Sequence, residues 1–316
     1  MSRTVLIFFN VAVLIVLAID LGVFNKKAHK ISVKEAAAWT GVWVALSLVF
    51  AVLVYQLYGH EKALEFVTGY LIEYSLSIDN IFVIVLIFSY FRIAEKHQHR
   101  VLFWGIIGAL LMRGAMIAAG GFLIQRFDWI IYVFGAFLIF TGIRMAVQGE
   151  TEIEPEHNPV LRLVRRLVPV TSDFRDQKFF VVEPLERGQQ ARLLATPLFI
   201  VLVLVETTDL IFAVDSIPAI FAVTRDSLIV YTSNVCAILG LRSLFFMLAG
   251  VIHKFHYLKL GVSVVLTFVG AKMLLGAVHY EIPILVSLPV IIGILGLSVV
   301  GSVVFPRKGD SISKPG

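Results

Sequence analysis

Nine long runs of apolar residues, separated by shorter polar stretches, make up most of the chain. A helix needs roughly 20 residues to cross about 30 Å of hydrocarbon, and these runs have that length. We number them spans 1 to 9, near residues 4–24, 36–58, 64–91, 101–124, 128–147, 195–223, 227–250, 257–278 and 283–305. The pattern predicts an all-α fold, a polytopic transmembrane helical bundle of about nine helices.

Composition agrees with this fold class. Hydrophobic residues make up 59% of the 316 residues, charged residues 16%, and the mean hydropathy is +0.90, values that soluble globular domains do not reach. Span 1 is not followed by a small-residue cleavage region, which predicts a retained signal anchor. The single cysteine, Cys236, excludes an internal disulfide.

The basic residues of the loops predict the orientation, because Lys and Arg accumulate on the cytoplasmic side. The loops after spans 1, 3, 7 and 9 contain Lys26, Lys27, Lys30, Lys34, Arg92, Lys96, Arg100, Lys254, Lys259, Arg307, Lys308 and Lys314. The opposite loops contain only Arg3, Lys62, Arg126 and Arg225. We therefore expect the N-terminus outside and the C-terminus in the cytoplasm. Because this topology explains the basic residues, the net charge of +5 does not require a nucleic-acid partner, and we predict none.

Residues 148–194 form the one sizeable polar segment, which we interpret as a cytoplasmic connector. It begins with the acidic run ETEIEPEHNP, which is more typical of a solvated surface than of a cation site. Its later part, KFFVVEPLERGQQARLL, predicts a small β-hairpin with a turn at Gly188.

Two units of three spans resemble each other. DNIFVI in span 3 recurs as DLIFAV in span 6, ALLMR in span 4 as AILGLR in span 7, and FTGIRM in span 5 as FVGAKM in span 8. The charged positions recur at intervals of 34 and 31 residues in one unit and 33 and 30 in the other: Asp79, Arg113 and Arg144, and Asp209, Arg242 and Lys272. This similarity predicts a duplication.

Because each unit has an odd number of spans, the two units are expected to be inverted, as in many secondary transporters. The predicted organisation is residues 1–60 for spans 1 and 2, 61–147 for the first unit, 148–194 for the connector, 195–280 for the second unit, and 281–316 for span 9 and a cytoplasmic tail.

Five carboxylates lie in the interior of spans 3 and 6, away from the span ends: Glu73, Asp79, Glu206, Asp209 and Asp215. A charge that faces lipid costs roughly 2.5–3.5 kcal/mol, so we expect these acids to face partners or water. The spans that follow contain the counter-charges Arg113, Arg144, Arg242 and Lys272. Buried ion pairs that lock the two units together are one explanation. The surplus of acids and their clustering on two spans favour a cation site.

Pro218 changes the expected geometry of span 6. Proline cannot donate a hydrogen bond to the carbonyl four residues earlier, at Val214, and in lipid a freed carbonyl needs another partner. We therefore predict a helix break that turns Asp215 and this carbonyl towards Asp209. In span 3, Asn80 and two serines supply further oxygens beside Asp79.

The side chains available as ligands limit which metal ions the protein could transport. Carboxylate, carboxamide and hydroxyl oxygens suit Mn²⁺, Ca²⁺ and Mg²⁺, whereas softer metals prefer thiolate or imidazole. All eight histidines lie in loops or at span ends, and Cys236 is better explained by packing. Methionine thioethers within the spans would favour Mn²⁺ over Mg²⁺, although packing is their commoner role: Met112, Met145, Met247 and Met273.

The sequence contains no GxxxxGK[ST] phosphate loop, so we predict secondary transport that is driven by the membrane potential or by a proton gradient. Carboxylates that bind either a divalent cation or protons would give a direct exchange mechanism. We predict no enzymatic activity and no tightly bound cofactor. We expect Asp79, Asp209 and Asp215 to bind one of these hard divalent cations, while Arg113 and Arg242 balance the charge when no cation is bound.

Several motifs are similar to those of the TerC family of membrane proteins, and most closely to its Alx branch in bacteria. They are EYSLSIDN at 73–80, ETTDLIFAVDSIPAIFAVT at 206–224, SNVCAILGLRSLFF at 233–246 and TGIRM at 141–145. The resemblance extends from AID at 18–20 to the last span. It implies Mn²⁺ export across the bacterial inner membrane and protection from manganese excess, with a link to tellurium resistance. The acidic residues typical of the family correspond to Asp20, Glu73, Asp79, Glu206, Asp209 and Asp215, with Asn80 and Ser216 beside two of them.

Among these residues, Asp20 lies near a predicted span end, where an acid needs no functional reason.

Three alternative functions would use the intramembrane charges differently. Intramembrane aspartates also occur in proteases, but the GxGD motif of that class is absent. An anion transporter would use Arg113 and Arg242, against the excess of acids. The last alternative is an accessory module for membrane-protein assembly or stress resistance, in which the ion pairs are only structural.

Overall fold

The computed structural model of the chain describes residues 3–19, 32–147, 159–171, 173–184, 191–249, 255–276, 280 and 282–305. These ranges contain eleven helices and two short strands. In chain order they are α1 (Arg3–Ile19), α2 (Val33–Tyr58), α3 (His60–Tyr90), α4 (Glu95–Arg126), α5 (Ile130–Val147), α6 (Pro159–Leu167), β1 (Phe180–Glu183), β2 (Arg192–Ala195), α7 (Pro197–Phe221), α8 (Ser227–Leu239), α9 (Leu241–Leu248), α10 (Leu258–Leu275) and α11 (Ile284–Val304).

The helices match the predicted spans. Within the described ranges, seven helices are long and apolar enough to cross a membrane: α2, α3, α4, α5, α7, α10 and α11. The pair α8 and α9 forms an eighth candidate span, with a bend of 41° between the two helices. The apolar part of α1, Thr4–Leu17, is shorter than these spans. Each of the nine apolar runs therefore has its helix or bent pair, and the predicted polytopic all-α bundle is confirmed. The bend in span 7 was not predicted.

Local chemistry fixes several helix ends. The Ser32 hydroxyl accepts a hydrogen bond from the Glu35 N–H at 3.2 Å and so caps α2. Asp226 caps α8 in the same way through the Leu228 N–H at 2.9 Å. Gly59 separates α2 from α3 with φ of 88°, a conformation that glycine adopts without steric cost.

Glycines allow α5 and α10 to pack with their backbones close together. A Cβ atom on Gly142 would lie 2.7 Å from the Ser263 carbonyl oxygen, and one on Gly270 would lie 2.6 Å from the Gly135 carbonyl oxygen. Such small residues are common where membrane helices approach closely. Gly142 and Gly270 occupy the same place in TGIRM and VGAKM. Each therefore faces the equivalent part of the other unit.

The remaining contacts between the two units follow the same relation. The first helix of each unit packs against the second helix of the other, since α3 contacts α8 and α7 contacts α4. The two first helices, α3 and α7, also contact each other. Two units related by a two-fold axis would pack in this way, and the inversion of the units stays a prediction. The duplication itself stays a prediction.

The bundle has a connector end and an opposite end. At the connector end, one buried hydrophobic cluster includes Phe88, Val101, Leu161, Leu198 and Phe245, so it joins α3, α4, α6, α7 and α9. At the opposite end, the carboxylate of Glu65 accepts hydrogen bonds from Lys62 at 2.7 Å and from the Thr224 hydroxyl at 2.6 Å. These bonds tie the start of α3 to the end of α7.

The connector includes the predicted hairpin. β1 and β2 pair antiparallel with Phe180 opposite Ala195 and Glu183 opposite Arg192, which confirms the strand pairing; Gly188 lies outside the described residues. The pairing continues to the start of α7, where the N–H of its N-cap residue Thr196 donates to the Phe179 carbonyl at 2.9 Å. The acidic run 150–158 also lies outside the described residues.

Candidate functional site

A buried guanidinium connects three helices near their middles. Arg113 of α4 is 1% exposed. Its Nε and Nη2 donate to the two carboxylate oxygens of Asp209 on α7, at 3.0 and 2.7 Å, and its Nη1 donates to Glu73 on α3 and, at 3.5 Å, to the Ser216 hydroxyl on α7. A two-bond pairing of this kind is the strong form of an arginine–carboxylate contact.

Two carboxamides extend this network. The Nδ2 of Asn234 on α8 donates to the second oxygen of Glu73 at 2.9 Å, and the Nδ2 of Asn80 on α3 donates to Asp209 at 3.4 Å. Both side chains are buried, Asn80 at 3% and Asn234 at 0% exposure. We call these six residues the Arg113 cluster: Glu73, Asn80, Arg113, Asp209, Ser216 and Asn234.

The charges of the Arg113 cluster do not cancel. Two carboxylates against one guanidinium leave a formal charge of −1. Because Glu73 and Arg113 are almost completely buried, water does not screen this charge well. The cluster can therefore accept an additional cation more readily than a neutral interior could.

Small residues make room around this cluster. A Cβ on Gly69 of α3 would lie 2.8 Å from the Ser233 hydroxyl oxygen and 3.0 Å from Ile220, so α7 and α8 both approach α3 at this point. A Cβ on Gly108 of α4 would overlap the carboxylate of Glu206. Backbone contact of this kind brings polar groups from different helices together within the bundle.

Glu206 borders the Arg113 cluster. It lies one helical turn from Asp209, whose charge acts on it, and its Oε2 is buried without a hydrogen-bond partner. The predicted site residue thus sits between α7 and the backbone of α4, without a direct contact to Arg113 among the described interactions.

Asp215 lies in a different direction from Asp209. Its carboxylate interacts with the Thr141 hydroxyl through a hydrogen bond and with the Arg144 guanidinium through charge attraction, and both groups are on α5. The reason is geometric: α7 continues through Pro218 to Phe221, and six residues along a continuous helix turn a side chain by about 120° from its starting direction. The predicted helix break is therefore wrong. Pro218 is accommodated within the last turn of α7 without ending the helix.

Asp79 also points away from the Arg113 cluster, although Asn80 belongs to it. One Asp79 oxygen, Oδ2, is buried without a hydrogen-bond partner among the described residues, and the charge of Lys259 on α10 acts on the carboxylate. Neighbouring residues on a helix differ by about 100° in direction. The structure therefore does not bring Asp79, Asp209 and Asp215 together. It gathers Glu73, Asn80, Asp209 and Ser216 instead.

The remaining predicted residues are spread over the bundle. Arg242 is buried on α9 at 8% exposure, whereas Arg144 is exposed and Lys272 is half-buried. Asp20 lies outside the described residues. In the part of the chain that the structure describes, no group of three or more His, Cys, Asp or Glu side chains is arranged to hold a metal ion by itself. In the Arg113 cluster the reason is that the guanidinium lies between the two carboxylates.

Sequence reasoning did not identify Asn234 and Thr141 as site residues. Both carry a signal in hindsight. Asn234 is a carboxamide within the predicted span 7, and Thr141 immediately precedes the repeated glycine of TGIRM. A polar side chain deep in a membrane span generally faces a partner within the bundle.

Comparison with known proteins gives consistent matches over nearly the full chain. Residues 58–310 match the family model described as "Integral membrane protein TerC family". The uncharacterized membrane protein STKORF319 of Myxococcus xanthus is 54% identical over 303 residues, covering 96% of this chain and 93% of its own. In Escherichia coli strain K12, the protein named "Putative membrane-bound redox modulator Alx" is 49% identical over 296 residues, covering 91% and 90%. An uncharacterized membrane protein of Rickettsia bellii is 40% identical over 299 residues, covering 94% and 96%. No solved structure matches the chain.

Proposed function

Because the chain belongs to the integral membrane protein TerC family, we propose that it is a secondary transporter that exports divalent cations, above all Mn²⁺, through the Arg113 cluster. One observation carries this proposal. Carboxylates from both predicted units, Glu73 and Asp209, meet at one buried guanidinium and leave a formal charge of −1 inside the bundle. An excess negative charge in a bilayer is costly unless a cation compensates for it.

The chemistry of the cluster defines the cargo. Every acceptor in it is an oxygen of a carboxylate, a carboxamide or a hydroxyl group, and such hard ligands suit Mn²⁺, Ca²⁺ and Mg²⁺. The resemblance to the TerC family favours Mn²⁺ among these three. In this proposal the metal is the transported ligand, and the protein is neither an enzyme nor the holder of a resident cofactor.

Arg113 supplies the means of exchange. Its guanidinium pairs with both Glu73 and Asp209 when no metal is bound, and an incoming divalent cation competes with it for the same oxygens. Protons are the coupling ions that we propose for the return step. Access alternates between the two membrane faces through movement of the two units relative to each other, as in other transporters built from inverted units.

The proposed location is the bacterial inner membrane, with the N-terminus outside and the connector in the cytoplasm. The basic residues of the loops support this orientation. The connector end of the bundle, where Phe88, Leu198 and Phe245 share one cluster, would then face the cytoplasm, and the end with Glu65 and Thr224 would face outward.

A structural or accessory role is the second candidate. The extensive hydrogen bonding of Arg113 favours it, because a well-paired buried guanidinium can simply hold α3, α4 and α7 together. A role in stress resistance, or the redox modulation that the names of some relatives mention, belongs to this class. The chain itself offers no intramolecular dithiol, since its sequence contains the single cysteine Cys236.

The test is the manganese content of Mn-loaded bacterial cells that lack their own exporters. Cells express the wild type, Asp209→Asn or Asp128→Asn at matched membrane levels, and manganese is measured by elemental analysis. The carboxylate of Asp128 is 91% exposed, so its substitution controls for loss of an acid elsewhere. We expect low manganese with the wild type and Asp128→Asn, and high manganese with Asp209→Asn. Equal manganese in all three strains would refute transport through Asp209 and favour the accessory role.

A further inference from the structure

The carboxamide of Asn234 presents an oxygen that no group among the described residues uses. The side chain is completely buried, and its Nδ2 donates to Glu73 at 2.9 Å. Its Oδ1 is buried and has no hydrogen-bond partner. A buried acceptor without a partner costs about 1–3 kcal/mol, and folded proteins seldom keep one without a reason.

The orientation of this carboxamide follows from its neighbour. Rotation of the amide by 180° would place Oδ1 against the carboxylate of Glu73, where two acceptors repel each other and a hydrogen bond is lost. The amide nitrogen therefore faces Glu73, and the oxygen is the atom left over. Its position is fixed by α8, which packs closely on α3.

Asn80 repeats this arrangement on the other carboxylate. Its Nδ2 donates to Asp209 at 3.4 Å, and its Oδ1 is likewise buried without a partner. Each of the two carboxylates bound by Arg113 thus accepts a hydrogen bond from a carboxamide. The oxygen of each carboxamide has no hydrogen-bond partner among the described residues. Chance is a poor explanation for two buried carboxamide oxygens without partners in one cluster.

We propose that Asn234 is a metal ligand, and that its Oδ1 and the Oδ1 of Asn80 coordinate the divalent cation together with Glu73 and Asp209. The inference rests on the proposed function and adds a helix, α8, to the binding site. Neutral carbonyl-type oxygens are good ligands for hard divalent cations. They replace water around the ion without adding negative charge, so the site can release the ion again.

The test exchanges the hard ligand for a soft one. In a Cys236→Ala background, Asn234→Cys places the only thiol of the chain at the proposed ligand position, and Ser233→Cys places it one residue away. Ser233 is equally buried, and its hydroxyl bonds only to the Val230 carbonyl of its own helix at 3.1 Å. Binding of Mn²⁺ and Cd²⁺ to the purified full-length proteins is measured by titration calorimetry.

We expect Asn234→Cys to weaken Mn²⁺ binding by about tenfold or more and to strengthen Cd²⁺ binding by a similar factor, since thiolates favour soft metals. Ser233→Cys should change neither affinity. Loss of Mn²⁺ binding without a gain for Cd²⁺ would overturn the inference and leave Asn234 as a residue that positions Glu73.

Asn80→Cys in the same background is a second variant for which we expect weaker Mn²⁺ binding and stronger Cd²⁺ binding. The test therefore does not depend on the folding of a single variant. If Asn80→Cys gains Cd²⁺ binding and a well-folded Asn234→Cys does not, Asn234 is not a ligand. Absence of binding of Mn²⁺, Ca²⁺ and Mg²⁺ to the Cys236→Ala parent and the wild type would refute the proposed function itself, together with this inference.

Discussion

Replacement of Arg113 by methionine should destabilise the protein strongly. The substitution leaves the carboxylates of Glu73 and Asp209, 0% and 11% exposed, without their cation. Removal of one partner from a buried ion pair typically costs about 3–5 kcal/mol. We therefore expect the free energy of unfolding to fall by about this amount, which lowers the folded-to-unfolded ratio by more than about 100-fold.

Neutralising the two acids should reverse most of this loss. In the triple variant Arg113→Met, Glu73→Gln, Asp209→Asn, no charge stays buried, and a neutral replacement of a buried ion pair is often tolerated. Stability is measured by denaturant-induced unfolding of the purified protein in detergent. Arg126→Met, at the exposed end of the same helix, serves as the control and should stay within about 0.5 kcal/mol of the wild type.

Two outcomes would refute this reasoning. Arg113→Met could be as stable as Arg126→Met, in which case the guanidinium does not compensate for buried charge. Alternatively, the triple variant could be no more stable than the single one, in which case the loss arises from packing of the arginine side chain and not from the uncompensated carboxylates.

Further substitutions test the packing of the bundle and of the connector. Gly270→Ala should cost about 1–3 kcal/mol because the new Cβ would lie 2.6 Å from the Gly135 carbonyl oxygen; Gly293→Ala, where a Cβ meets nothing within 4 Å, should be neutral or slightly stabilising in the same unfolding assay. Leu161→Asp should release α6 from the bundle, because this side chain is 1% exposed, and should speed limited proteolysis of the connector. Leu163→Asp, at a 55% exposed position, should not, and equal proteolysis of the two variants would contradict the docking of α6.

The sequence alone determined the class of fold, for a physical reason that applies to every helix separately. A membrane span must satisfy its backbone hydrogen bonds internally and match the thickness of the hydrocarbon. Length and hydropathy therefore identify each span without knowledge of its neighbours. The hairpin of the connector was predictable for a similar reason, since its alternating pattern and turn residues are local signals. The residue types of the cluster were also readable, because charges in a bilayer need partners.

Which of these residues meet depends on the packing of the helices. The direction of a side chain changes by about 100° with each residue of a helix, so the outcome depends on how α3, α4, α7 and α8 are rotated against one another. For this reason Asp209 faces Arg113 while Asp215 faces α5, and Asn80 joins the cluster while Asp79 does not. Close packing at glycines sets those rotations through contacts between helices distant in sequence, and the carboxamide of Asn234 reaches Glu73 for the same reason.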